Sequence, residues 1–389
     1  MSEPSPPIWA SPRGDHRAAM RSPALGARLG RVRFEVRFPP YSIAAAPCVD
    51  AAGQIWLAAP GEGGKTALVV LSPRGERVRE LPLEAGDQVL DDDAASAETT
   101  GSGVRAVLVA GGLWILGRRT LERRDARGDV LHRRVVESGR VLDVGAAPDG
   151  ELLVWRQRDP FATELARHAP DGTVRWSVRT PQGGYLYRRE LACDDRGTAY
   201  VSAAGRFGDG VSGDDVPSGG LAIVSSEGAL VPVPDLPWRS HGDFCVAQEA
   251  SVVIGTTPQI EIDGGGHVLR QLHPRGDDPA AIPWSGYRMR VSARPQVLDP
   301  SLLLCFYASA VQVHRPVVDA AGVRYVVLER RLRYDDLPSD PAALVALDPD
   351  DRCLFRLEAA TIGAGVGWMA VGPEETLLVV HRDGLTAIG

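Results

Sequence analysis

The chain has 389 residues, of which 44% are hydrophobic and 24% charged, a balance that fits a soluble globular protein. Its formal net charge is −7, which gives no basic field to favour nucleic acid. Lys65 is the single lysine, arginine supplies the other 42 basic side chains, and asparagine is absent, so no Asn can ligate a metal or accept an N-linked glycan.

Cys48, Cys193, Cys245, Cys305 and Cys353 are odd in number, widely spaced and mostly set in apolar runs. They read as reduced thiols in a reducing compartment, not as a disulfide framework or a zinc site. The opening Met1-Ser-Glu-Pro-Ser-Pro-Pro lacks the basic-then-apolar pattern of a signal peptide. Val104–Gly117 and Ser301–Val313, the longest apolar stretches, are too short or too interrupted by glycine for a membrane helix. The expected location is cytoplasmic, with no membrane and no nucleic-acid partner.

In chain order, residues 1–30 read as an N-terminal extension, and no amphipathic helix of three turns is expected after Gly30. From there one unit recurs: a strand, a tight Gly or Asp turn, and a second strand of alternating arginine and apolar residues. Its copies include Leu71-Ser-Pro-Arg-Gly-Glu-Arg-Val, Arg124-Asp-Ala-Arg-Gly-Asp-Val-Leu, His168-Ala-Pro-Asp-Gly-Thr-Val-Arg-Trp and Val224-Ser-Ser-Glu-Gly-Ala-Leu-Val. Two more are Ile262-Asp-Gly-Gly-Gly-His-Val-Leu and Leu347-Asp-Pro-Asp-Asp-Arg-Cys-Leu. Each reads as an antiparallel hairpin with turn chemistry at its tip. A second hairpin precedes most copies, with tips such as Asp50-Ala-Ala-Gly53, Asp194-Asp-Arg-Gly197 and Asp319-Ala-Ala-Gly322. Two hairpins make a four-stranded blade.

The expected fold is therefore all-β: a single β-propeller over 31–389 of about seven four-stranded blades, within a range of six to eight. The blades span Ile43–Leu83, Val104–Val136, Val141–Arg179, Arg189–Val233, Gly242–Leu272, His314–Glu358 and Gly367–Gly389. The last has only three strands. Arg31-Val-Arg-Phe-Glu-Val-Arg-Phe matches the outer strand Thr173-Val-Arg-Trp-Ser-Val-Arg-Thr, so Arg31–Phe38 is expected to close the ring as the missing strand. Blade two lacks an inner Asp-Gly tip, and 273–313 reads as a long inter-blade insertion or a degenerate eighth blade.

Pro170-Asp-Gly-Thr-Val-Arg-Trp176 and the opening Trp9, Arg13-Gly-Asp15, Gly30-Arg-Val-Arg-Phe34 and Val49-Asp-Ala-Ala-Gly-Gln-Ile-Trp56 resemble the quinoprotein-type (PQQ-like repeat) β-propeller family. The resemblance implies the propeller fold and says nothing of activity. Quinone-holding members use adjacent cysteines, a calcium site and a catalytic Asp. Here no two cysteines are adjacent and a calcium-liganding Asn cannot occur, so the quinone is not expected.

The long segments fall on one face of such a propeller: Glu84–Gly103, Pro181–Arg189, Ala203–Gly219, Asp235–His241, Pro274–Val313 and Arg330–Pro341. Long loops on one face of a rigid scaffold carry function. They hold Tyr185 and Tyr187, Trp238 and Arg239, Trp284 and Tyr287, and Arg333 and Tyr334. Aromatics beside arginines suit a small anionic or aromatic ligand or a protein partner; packing among neighbouring loops is the alternative reading of the same residues. His241 and His314 fall just before the first strands of blades five and six, where they could hold a divalent metal. Arg188 and Glu190 occupy similar positions on blade four. His381 ends the second strand of blade seven; His168 and His267, at outer hairpin tips, read as incidental. Asp209-Gly-Val-Ser-Gly-Asp-Asp215 lacks the spacing and closing Glu of a calcium loop.

Two readings of function stay open. The first is a recognition module using the long-loop face, with no cofactor. The second is an enzyme of specialised metabolism, a lyase, cyclase or hydrolase at the mouth of the central channel. There His241 would be the acid or base, Arg188 and Arg239 anion clamps, and His314 and Glu190 assistants or metal ligands. No phosphate-binding loop, dinucleotide fingerprint or Gly-x-Ser-x-Gly elbow is present.

Overall fold

The computed structural model describes residues 7–10, 22–40, 42–43, 46–61, 66–83, 105–109, 112–117, 120–135, 140–159, 162–180, 185–207, 216–233, 244–246, 251–254, 259–263, 268–272, 310–313, 317–331, 340–350, 352–363 and 366–389. They form seven antiparallel sheets, six of them ordered as the chain runs. Sheet one comprises Cys48–Val49, Ile55–Pro60, Thr66–Leu71 and Arg77–Pro82. Sheet two comprises Arg105–Val109, Gly112–Leu116, Thr120–Asp125 and Val130–Val135. Sheet three comprises Arg140–Ala146, Leu152–Asp159, Ala162–His168 and Val174–Thr180. Sheet four comprises Tyr185–Cys193, Ala199–Phe207, Val216–Val224 and Leu230–Val231. Sheet five comprises Phe244–Val246, Ser251–Ile254, Gln259–Asp263 and Val268–Leu272. Sheet six pairs Arg324–Arg331 with both Ala310–Val313 and Val317–Val318, then continues through Asp340–Leu347 and Cys353–Glu358.

Sheet seven draws on both ends of the chain. Trp368–Val371, Leu377–His381 and Gly384–Ile388 are completed by Val32–Arg37, which pairs antiparallel with Gly384–Ile388. Arg31 and Gly389 exchange both backbone hydrogen bonds, at 2.9 and 2.8 Å, and the Phe38 N–H donates to the Asp383 carbonyl at 3.0 Å. The closing strand is thus the segment expected from its likeness to the outer strand of sheet three. This succession of antiparallel sheets, six of four strands and one of five, with the last completed by the N-terminal strand, is a β-propeller. The one helix among the described residues is a single turn, Ala359–Ile362.

Two compact units partition the chain. One holds sheets one, six and seven, drawn from Met20–Val89 and Ile282–Gly389 together with Met1–Asp15; the other, over Leu90–Ala281 with His16–Ala19, holds sheets two to five. In the second unit the middle strands are buried on both faces, which is why they read as nearly unbroken apolar runs. Along Leu152–Asp159, Leu152 and Val154 pack with Val107, Trp114 and Leu121 of sheet two. Leu153 and Trp155 pack with Leu191, Cys193 and Val201 of sheet four.

A repeated contact joins neighbouring sheets at their outer strands. The third residue of an outer strand covers the glycine of the next sheet's outer turn, leaving no room there for a β-carbon. Phe34 of sheet seven covers Gly75 of sheet one, His132 of sheet two covers Gly172 of sheet three, and Trp176 of sheet three covers Gly228 of sheet four. Phe355 of sheet six covers Gly30, which leads into the closing strand. The Trp176 indole N–H also donates to the Ser226 carbonyl at 2.8 Å.

Several boundaries differ from the sequence reading. Tyr185–Arg189, expected in a loop, belongs to the inner strand of sheet four, and Ala203–Phe207 and Val216–Gly219 prolong its middle strands. Their strand pairing, invisible in the local pattern of glycine and polar residues, extends the sheet. Ala310–Val313 pairs with Arg324–Arg331 in sheet six; 273–309, the rest of the expected insertion, lies outside the described residues.

Candidate functional site at the long-loop end of sheets three and four

The middle strands of sheet four run nine residues each, against six in sheet one. At about 3.3 Å per residue, the extra three carry the sheet roughly 10 Å further. They do so at the end away from the tight turns, where the long segments begin.

Four of the expected site residues lie on the inner strand of this sheet, toward the same end. Tyr185, Tyr187, Arg188 and Glu190 all lie on the inner strand Tyr185–Cys193. Leu186 pairs with Gly205 and Arg188 with Ala204, so Tyr187 is the extra residue of a β-bulge. Bulges re-aim side chains and collect beside binding sites. Beyond the bulge, Arg188 and Glu190 share the parity of Ala192, while Leu191 and Cys193 on the opposite parity enter the core shared with sheet three.

The inner strand of sheet three has its own bulge: Val141 pairs with Arg156 and Asp143 with Trp155, leaving Leu142 extra. The bulge turns Asp143 toward sheet four. Its buried carboxylate accepts the Leu191 N–H at 2.8 Å through Oδ2 and the Val144 N–H at 2.9 Å through Oδ1. One carboxylate thus ties the two inner strands together, one residue past Glu190.

Arg156, Arg158 and Glu164, at the same end of sheet three, were not singled out from the sequence. Arg156 donates to Glu164 Oε1 at 3.0 and 2.6 Å, and Arg158 lies 2.7 Å from Oε2. Burial pushes the Glu164 carboxyl up, but hydrogen bonds from Arg158, Arg156 and Ser177 outweigh it and hold the group below its ordinary range. The signal was present in the hairpin register, since Arg156 stands directly opposite Glu164.

At the turn end, Arg167 spans sheets three and four. It donates to Glu151 at 2.7 Å, Asp149 at 2.6 Å and the Gly197 carbonyl at 3.2 Å. Burial alone would lower its pKa; the Glu151 and Asp149 carboxylates reverse that and raise it. With its donors spent on these partners, this cluster is built to join sheets.

His381 is buried, and both ring nitrogens are used inside its own hairpin. Nδ1 accepts the Asp383 N–H at 3.3 Å, which leaves Nε2 to donate to Thr386 Oγ at 3.0 Å. Burial lowers its pKa against the opposing pull of Glu35 and Asp383, consistent with a neutral ring that braces the strand end. His168 ends the third strand of sheet three and is 8% exposed. Burial, reinforced by the Arg134 charge, depresses its pKa to about 4.

His241, His314, Trp238, Arg239, Trp284, Tyr287, Arg333 and Tyr334 lie outside the described residues, as does His267. Among the described residues no group of three or more His, Cys, Asp or Glu is arranged to hold a metal ion, and no helix is long and apolar enough to cross a membrane.

No protein-family model matches the chain, and no curated protein sequence matches it. Among solved structures it is similar to BBS1N in complex with ARL6DN, at 11% identity over 93% of this chain and 96% of that one, with a TM-score of 0.44. It is also similar to the Dos1 propeller, at 9% identity over 91% and 94% of the two chains, TM-score 0.44. A protein of unknown function from Bacteroides caccae matches at 18% identity over 60% of this chain and 81% of that one, TM-score 0.32.

Proposed function

We propose that this propeller is a recognition module that binds a small anionic or aromatic ligand, or a protein, at the long-loop end. The observation that carries the reading is the inner strand of sheet four. Tyr185, Tyr187, Arg188 and Glu190 lie on a paired strand whose path is bent by a bulge and pinned by Asp143, and a site set on a strand is held more firmly than one on a loop. Trp238, Arg239, Trp284, Tyr287, Arg333 and Tyr334 would add aromatic and cationic contacts from the neighbouring loops. The reading keeps the resemblance of Pro170-Asp-Gly-Thr-Val-Arg-Trp176 to quinoprotein-type repeats, without the quinone.

Native mass spectrometry and elemental analysis of the purified full-length protein test this. A co-purifying ligand or partner that is lost from Tyr187→Ala/Arg188→Ala at unchanged melting temperature is the expected result. Equal retention by the variant overturns the assignment. A stoichiometric divalent metal, lost in His241→Ala/His314→Ala, would replace it with the enzyme reading.

A further inference from the structure

The residues ahead of the closing strand lie on the sheets of their own unit. Trp9 is fully buried and forms an antiparallel bridge with Val49: each N–H donates to the other's carbonyl, at 3.0 and 2.8 Å. The bridge occupies the otherwise free edge of Cys48–Val49. Ser22 engages sheet six, its N–H donating to the Val318 carbonyl at 2.9 Å, while its hydroxyl donates to the Ile8 carbonyl at 2.9 Å. The Ala320 N–H donates to the Ala24 carbonyl at 3.0 Å.

Comparison of three equivalent turns shows what is special about sheet six. Asp50, Asp194 and Asp319 each accept two backbone N–H groups of their own turn through Oδ1. In sheets one and four, Oδ2 takes one aromatic donor: the Trp56 indole at 3.0 Å, and the Tyr200 hydroxyl at 2.9 Å. Asp319 Oδ2 faces three groups: the Gly26 N–H at 2.9 Å, the Arg28 guanidinium at 2.5 Å and the Tyr325 hydroxyl at 3.1 Å. That hydroxyl also receives Arg28 at 2.8 Å and lies 2.9 Å from the Ala27 carbonyl, which it can donate to instead. Gly26 packs against the Tyr325 ring with no space for a side chain. The same turn has become a receptor for residues 24–28.

The closing strand needs such an anchor. It has one paired neighbour, and of its side chains only Phe34 and Val36 pack on the core: Val32 is 46% exposed and the strand's arginines are exposed. Three residues separate Arg28 from Val32, four steps with a reach of about 14 Å at most, and Gly30 among them is covered by Phe355. The Asp319 side chain is fully buried, so losing Arg28 would leave a buried charge uncompensated.

We propose that residues 22–30 are a latch: Arg28, seated on Asp319 and Tyr325 of sheet six, holds the closing strand on sheet seven, so that freeing Arg28 frees Val32–Arg37. The device makes the opening of sheet seven a local event, separable from unfolding of the rest of the chain.

Hydrogen exchange read by mass spectrometry on the full chain tests it. In Arg28→Met, amides of 22–37 and those of Gly384–Ile388 that face them should exchange at least tenfold faster, with sheets two to four unchanged. Adding Asp319→Asn, which removes the stranded charge, should recover part of the protection. Tyr325→Phe keeps the ring and removes only the hydroxyl; it should show the same pattern with a smaller factor, and it serves if Arg28→Met does not fold. Wild-type exchange over Val32–Arg37 in a variant whose residues 22–30 exchange faster would sink the proposal. So would uniform acceleration across all sheets, or wild-type exchange in Tyr325→Phe.

Discussion

Trp176 and Gly228 are locked together across two sheets: the indole lies over the glycine and its N–H is bound by the Ser226 carbonyl beside it. Gly228 has φ of +87°, a conformation that side chains resist. Gly228→Ala meets both the dihedral and the ring and should lose about 2–4 kcal/mol. Trp176→Ala should lose about 2 kcal/mol, less than a fully buried tryptophan would. Because the two touch, the losses in the double variant should fall short of additivity; urea denaturation of the four proteins measures this.

His168 makes stability depend on pH. Its folded pKa, about 4, lies below the ordinary 6.5, so between these values the unfolded chain binds the proton and the native ring does not. The stabilisation is complete above pH 6.5, declines as pH falls, and is gone below pH 4, a change of roughly 3 kcal/mol. His168→Gln should flatten that segment of a stability–pH profile. An unchanged slope between pH 6.5 and 4 would show that another group carries it.

Asp143 should matter to the site without forming part of it. Asp143→Ala leaves the buried Leu191 N–H without its acceptor and should lower stability by about 1–3 kcal/mol. Exchange of the Leu191 amide should accelerate, and retention of any co-purifying ligand should weaken. Asp143→Asn keeps an acceptor oxygen and should fall in between.

Arg167→Met leaves Glu151, whose side chain is 8% exposed, with the outlying Arg175 at 2.9 Å as its remaining cation, and should cost about 2–3 kcal/mol in urea denaturation. Pairing it with Glu151→Leu removes the half-compensated buried charge and should restore part of the loss. If the pair is as unstable as the single variant, the carbonyl contacts to sheet four outweigh the charge.

Strand alternation, turn chemistry and the recurrence of one hairpin are local properties, and they were enough to place the seven sheets, the tight turns and the closing strand at Arg31–Phe38. Of the site, they could name residue types and the end of the propeller that carries them. Tertiary packing decided the rest. Tyr185–Arg189 looks like a loop until Ala203–Arg206 pairs with it. Glu122, Arg123 and Arg124 look like a solvated run, yet all three are buried, Glu122 bridged to Arg124 at 2.8 Å and Arg123 set over Trp114. Asp319 carries the same turn signature as Asp50 and Asp194, and only the return of residues 24–28 gives its second oxygen new partners. Alternation and turns depend on neighbours in sequence; burial of a charge depends on which distant segment comes to cover it.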